Sequence, residues 1–229
     1  MKIFLSVLAF AVLLLGIGWF LPSPQPAAVS DPENFLPWQI RVEEATGQSE
    51  VFGLKPGIST LAEAQVRFGG DPELGIIVPP GDVAALEAYY ARVELGVLQG
   101  RLLLRLAATP ETLKAMLQRA PKAEYMESNT RRASLAAEDL VLAQATPIAA
   151  LTFIPNANLD EDTIRKRFGP PVEILKTSEN LTHFLYPGKG LDVILDAKGK
   201  EVLQYVAPRD FAKAVRAPLA QIQPQAAGN

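Results

Sequence analysis

The chain reads as an α+β protein: an N-terminal transmembrane helix followed by two tandem units, each a short helix laid on an antiparallel sheet. Three observations predict this. The stretch IFLSVLAFAVLLLGIGWFL, from Ile3 to Leu21, contains neither a charge nor a proline. Arg67-Phe68-Gly69 returns as Arg167-Phe168-Gly169, an offset of 100. The second half carries short alternating segments separated by turn residues, as in GLDVILDAKGKEVLQYV, and alternation with a period of two marks half-buried strands.

The apolar run comes first. As a helix it is about 28 Å long, close to the hydrocarbon thickness of a bilayer. Trp19 and Phe20 sit at its far end, where aromatic side chains prefer the headgroup region. Lys2 precedes it while Asp31 and Glu33 follow, so positive-inside logic leaves the N-terminus in the cytoplasm and the body in the periplasm. The expectation is an uncleaved, single-pass inner-membrane anchor over residues 1–21. A cleaved signal peptide is the alternative, but Pro24 and Pro26 crowd the small residues Ala27 and Ala28 that cleavage would need. Residues 22–37 follow as a spacer, with prolines at 22, 24, 26 and 32 favouring a semi-rigid extended chain.

The repeat governs the body. Besides the RFG pair, Pro72 matches Pro171, Gln99-Gly100-Arg101 matches Lys198-Gly199-Lys200, and Thr109-Pro110 matches Ala207-Pro208, with offsets drifting from 100 down to 97 towards Pro121 and Pro218. Ordered landmarks at a nearly fixed offset indicate an internal duplication. The expected units are residues 38–121 and 151–218, separated by an insertion at 122–150 and followed by a flexible tail at 219–229.

Each unit opens with a helix. Ser59 is the expected N-cap of the first, with Leu61, Ala64 and Phe68 at helical spacing. Asp160 leads the second; Glu161 and Asp162 favour its positive end, and Ile164 and Phe168 form its apolar stripe. Gly69 and Gly169 stop the two helices. Expected strands are Ala88–Leu95 and Arg101–Leu106 in the first unit, and Val172–Thr177, Leu181–Tyr186, Leu191–Asp196 and Glu201–Val206 in the second. Pro110 and Pro208 each begin a closing helix. Within the insertion, Ser134–Gln144 has helical character and Pro147–Ile154 reads as a buried strand.

The stretch from Asn158 to Val206, with its acid-capped helix, RFGPP and a strand ending in Leu185-Tyr186, resembles the SmpA/OmlA domain of the BamE-type lipoproteins. Gly57-Ile58-Ser59 stands where that family often has Gly-Met-Thr. Tandem copies of a similar unit also occur in the β-lactamase inhibitor proteins. The resemblance implies a helix-on-sheet fold and a binding role in the envelope. It supplies no functional residue, and the lipidated cysteine of the lipoproteins has no counterpart here.

Composition excludes several chemistries. The 229 residues contain no Cys and one His, which removes disulfides, thiol nucleophiles and multi-histidine metal sites. The 22 Lys and Arg against 25 Asp and Glu argue against a nucleic-acid partner. His183 lies on a strand with no G-x-S-x-G elsewhere to supply a nucleophile. Asp160-Glu161-Asp162 lacks the spacing of a calcium loop, and Gly188-Lys189-Gly190 that of a phosphate loop. No catalytic residue, cofactor or metal site is therefore expected. A binding surface is sought in the aromatic pairs Tyr89-Tyr90 and Phe184/Tyr186, with a sheet face or the groove between units as the contact. The expected function is a non-catalytic protein-binding or scaffold module recognising an envelope protein. A periplasmic lipid or small-ligand carrier is the alternative. A hydrolase using Asp192 and Asp196 is disfavoured, since residues four apart on one strand are about 13 Å apart.

Overall fold

The computed structural model describes residues 35–81, 83–126 and 128–222. The expected membrane anchor, the spacer up to residue 34 and the last part of the tail lie outside the described residues. No helix among the described residues is long and apolar enough to cross a membrane.

The fold is mixed α+β, dominated by antiparallel sheet. Strands β1 (Arg41–Glu43) and β2 (Gln48–Glu50) form a small hairpin of their own. Helix α1 (Leu61–Phe68) leads to the meander β3 (Glu73–Val78), β4 (Ala85–Leu95) and β5 (Leu98–Leu106), closed by α2 (Pro110–Arg119). Then come β6 (Ala123–Tyr125), β7 (Arg131–Ala133), α3 (Ala137–Ala145) and β8 (Ile148–Pro155). Helix α4 (Glu161–Phe168) precedes β9 (Glu173–Lys176), β10 (Leu181–Tyr186), β11 (Leu191–Asp196) and β12 (Val202–Val206). A short 3-10 turn (Pro208–Asp210), a π-helical turn (Ala212–Arg216) and α5 (Ala217–Ile222) end the described chain.

Strands β3 to β12 form a single ten-stranded sheet in the order β6-β7-β3-β4-β5-β8-β12-β11-β10-β9. The sheet is continuous because β8 pairs on one side with β5, Leu151 opposite Leu104, and on the other with β12, Leu151 opposite Tyr205. Alternation sorts the side chains onto two faces. One face carries Leu102, Leu104, Leu151, Phe153, Leu203 and Tyr205, and packs against α1, α2 and α4 through Leu61, Phe68, Leu113, Met116, Ile164 and Phe168. On the opposite face the C-terminal segment lays Phe211, Val215 and Leu219 over Ala150, Leu175, Leu185 and Val206. A second buried apolar row there, Ile77, Leu103, Ile154, Ile194 and Val202, comes from strands alone.

Several expectations are corrected. Ser59 is not the cap of α1: its hydroxyl accepts the Lys55 N–H at 3.1 Å. Thr60 takes the role instead, its hydroxyl accepting from the Glu63 N–H while Glu63 accepts the Thr60 N–H at 2.6 Å, a reciprocal capping box. Asp160 caps α4 as expected, accepting the Thr163 N–H at 2.8 Å. Strand β3 has no counterpart among the expected strands. Residues 122–150 are not a separate connector, because β6 and β7 extend the sheet beyond β3 and residues 148–150 begin its central strand. The residue 219 boundary is likewise too early, since Leu219 is fully buried. The two closing segments also differ: α2 packs on the helical face, whereas the chain after Pro208 crosses to the other.

Candidate functional site

Residues 35–54 cross the helical face between α1 and α4. Phe35 lies under the Arg67 guanidinium, 3.2 Å from its ring centroid, and Trp38 under that of Arg167 at 4.4 Å. The two arginines are the equivalent members of the two RFG motifs. Trp38 also meets Phe168 edge-on at 6.4 Å, and the buried Tyr205 donates its hydroxyl hydrogen to the Pro37 carbonyl at 3.0 Å. Farther along, Val51 and Leu54 exchange backbone hydrogen bonds of 2.9 Å across a turn whose central residues, Phe52 and Gly53, both have positive φ.

A left-handed backbone is costly for a phenylalanine. It is held here because the Phe52 ring is buried edge-on to Phe153 at 5.7 Å and to Tyr205 at 5.3 Å, while its carbonyl accepts from Arg67 Nε at 3.1 Å. The groove between the halves is thus filled by the chain itself. The sequence offered the signal, Phe35-x-x-Trp38 beside two repeat-related arginines, but spacing alone did not join them.

The four aromatic candidates are not brought together. Tyr89 and Tyr90 are neighbours on β4 and point to opposite faces. Tyr90 is buried against Phe68 at 5.6 Å. Tyr89 lies half-buried on the other face beside Arg101, and burial pushes its phenol up. Phe184 and Tyr186 share the helical face and are both buried. Tyr186 packs on Phe168 at 6.0 Å and donates to the Gly169 carbonyl at 3.0 Å, which ties the end of α4 to the sheet. Three of the four therefore serve the core.

On the opposite face lies a buried polar row. Thr152, Gln204 and Asp192 stand in register on β8, β12 and β11. Asp192 Oδ2 bonds His183 Nδ1 at 2.8 Å, and His183 Nε2 bonds the Thr177 hydroxyl at 3.1 Å. Burial pushes the Asp192 carboxyl up, against the pull of His183. Carboxylate, imidazole and hydroxyl in this order are the parts of a nucleophilic relay. The turn around them, however, spends its amides internally: Thr177 N–H on the Leu181 carbonyl, and the N–H groups of Asn180 and Leu181 on the Ser178 hydroxyl. Asp196 caps its own turn by accepting the Lys198 N–H at 2.9 Å, while Asp192 is buried.

Helix α3 presents a different surface. Asp139 is fully buried and ion-paired with Arg119 of α2, and Ala143 faces the core. Leu140, Val141 and Leu142 are exposed by 43, 67 and 53%. Comparison with known proteins gives no match to any family model, curated protein or solved structure.

Proposed function

We propose that the chain is a non-catalytic protein-binding or scaffold module, tethered outside the inner membrane by its N-terminal apolar segment, that recognises another envelope protein. On this reading residues 38–121 and 151–218 are two copies of one helix-on-sheet unit fused edge to edge, in keeping with the resemblance of residues 158–206 to the SmpA/OmlA domain. The observation that carries the proposal is α3. Water-exposed helices normally turn a polar face outward, yet α3 sets three consecutive aliphatic side chains in solvent while Arg119 and Asp139 fix it to α2. A rigidly held apolar surface of this kind suits a protein partner.

The test is capture of partners by the full-length chain from crosslinked, detergent-extracted envelopes, beside a variant carrying Leu140→Gln, Val141→Ser and Leu142→Gln. Deleting residues 122–150 is no substitute, because it removes two strands and the start of β8. A partner retained by the intact chain and lost from the variant supports the reading. Equal capture, or no specific partner for the intact chain, overturns it, and recovery in the soluble periplasmic fraction contradicts the tether.

A further inference from the structure

The seam between α1 and α4 holds its aromatic pair in an unusual way. Each half contributes the same residue of the same motif, Arg67 or Arg167, and each guanidinium covers one aromatic ring. Planar, weakly hydrated guanidinium stacks well on such rings. Between the rings, Tyr205 reads a main-chain carbonyl, a contact that any residue at that position supplies. Phe35, Leu36 and Trp38 are only partly buried, in contrast to Phe52, and residues 35–40 belong to no strand pair. Within the segment, Gln39 N–H bonds the Leu36 carbonyl and Leu36 N–H bonds the Gln39 side chain. Lifting it away breaks no sheet ladder; what it gives up is the cover of Pro37, which is buried, and the bond from the Tyr205 hydroxyl.

We propose that this seam is a peptide-acceptor groove latched by the chain's own Phe35-Leu36-Pro37-Trp38, and that the partner segment it fits is a turn-forming peptide with two aromatic side chains three positions apart and a proline between them. The Gln39 N–H to Leu36 carbonyl bond closes a turn over residues 36–39, and the paired arginines each take one of the segment's rings. The latch is an intramolecular ligand, whose effective concentration is in the millimolar range for a short connection, so a free peptide competes poorly until the latch is displaced. The biological sense of the groove rests on the binding-module reading, but its test uses no partner captured from cells and no residue of α3.

The probe is a fluorescein-labelled peptide of residues 31–42, with a control in which its Phe and Trp are alanine. Anisotropy is measured on the full-length chain in detergent and on detergent alone. The expected result is binding at least about tenfold tighter to a chain carrying Phe35→Ala and Trp38→Ala than to the intact chain, no binding of the control, and roughly tenfold weakening when Arg67→Lys and Arg167→Lys are added. A second measurement leaves the latch in place. In a Trp19→Phe background, Arg67→Lys with Arg167→Lys raises acrylamide quenching of Trp38 while the near-UV circular dichroism of the body persists. Equal binding by the intact and latch-substituted chains, or binding of the control peptide, overturns the proposal. So does failure of the latch-substituted chain to fold, or unchanged quenching of Trp38, because either makes residues 35–38 a permanent part of the core.

Discussion

His183 and Asp192 share a 2.8 Å hydrogen bond between adjacent strands, and neither side chain reaches solvent. A buried carboxylate without a partner is expensive. Replacing His183 with leucine is therefore expected to cost about 3–5 kcal/mol in urea unfolding at pH 8, and the double change with Asp192→Leu to recover most of it. Asp192 in the single variant is favoured only when neutral, so the loss shrinks as pH falls through its raised titration range. A pH-independent loss, or strict additivity of the two substitutions, contradicts this account.

Glu87 sets a second pH dependence. Burial lifts its carboxyl from 4.5 to about 7, against the lowering by Arg105. The folded chain therefore holds this proton across a range where the unfolded chain has released it. The associated stability is complete below about pH 4.5 and lost as pH rises through about 7, amounting to about 3 kcal/mol. Glu87→Gln should flatten the profile and stabilise the protein at pH 8. Denaturation midpoints compared at pH 5 and pH 8 test it, and parallel profiles for the two proteins would count against it.

Two glycines with positive φ differ in their surroundings. A Cβ on Gly190 would lie 2.0 Å from the Val206 carbonyl oxygen, whereas one on Gly169 meets nothing within 4 Å. Gly169→Ala should cost only the backbone penalty of about 1–2 kcal/mol. Gly190→Ala must push β12 aside and is expected to abolish folding at 37 °C. Circular dichroism melts separate the two, and similar melting temperatures would refute the steric argument.

Arg119 holds α3 through Asp139 and Glu138. With Arg119→Met the fully buried Asp139 loses its counter-charge, and α3 should loosen while the sheet remains. Hydrogen exchange is the measurement: faster exchange confined to residues 137–145 is expected, and unchanged exchange there would show that α3 is held by packing alone.

Much of this architecture was legible in the sequence because local rules agreed with the final structure. RFG closes both helices, Leu181–Tyr186 and Leu191–Asp196 have the expected limits, and Pro110 begins a helix. What escaped depended on contacts distant in sequence. Glu73–Val78 is a short mixed run between prolines, and pairing with Leu86 and Ala133 makes it a strand. Ser59 and Thr60 are equivalent as caps until the Lys55 N–H takes Ser59. The aromatic candidates were residues of the right type with their directions unknown. Strand alternation placed Tyr90, Phe184 and Tyr186 in the core, and of the rings engaged by the two arginines Phe35 came from the segment read as spacer and Trp38 from the very start of the first unit.

The position of β8 has a consequence for how the chain acquires its structure. Until Ile148–Pro155 emerges, β5 has no outer neighbour, and until Val202–Val206 follows, neither has the far side of β8. A chain synthesised from its N-terminus thus presents an open, leucine-rich edge for the time needed to deliver about fifty further residues, and then another of similar length. Open edges of that kind recruit other strands. Interruption of synthesis between residues 106 and 148 would therefore leave an aggregation-prone half, and chaperone dependence should peak in that interval rather than at the end of synthesis.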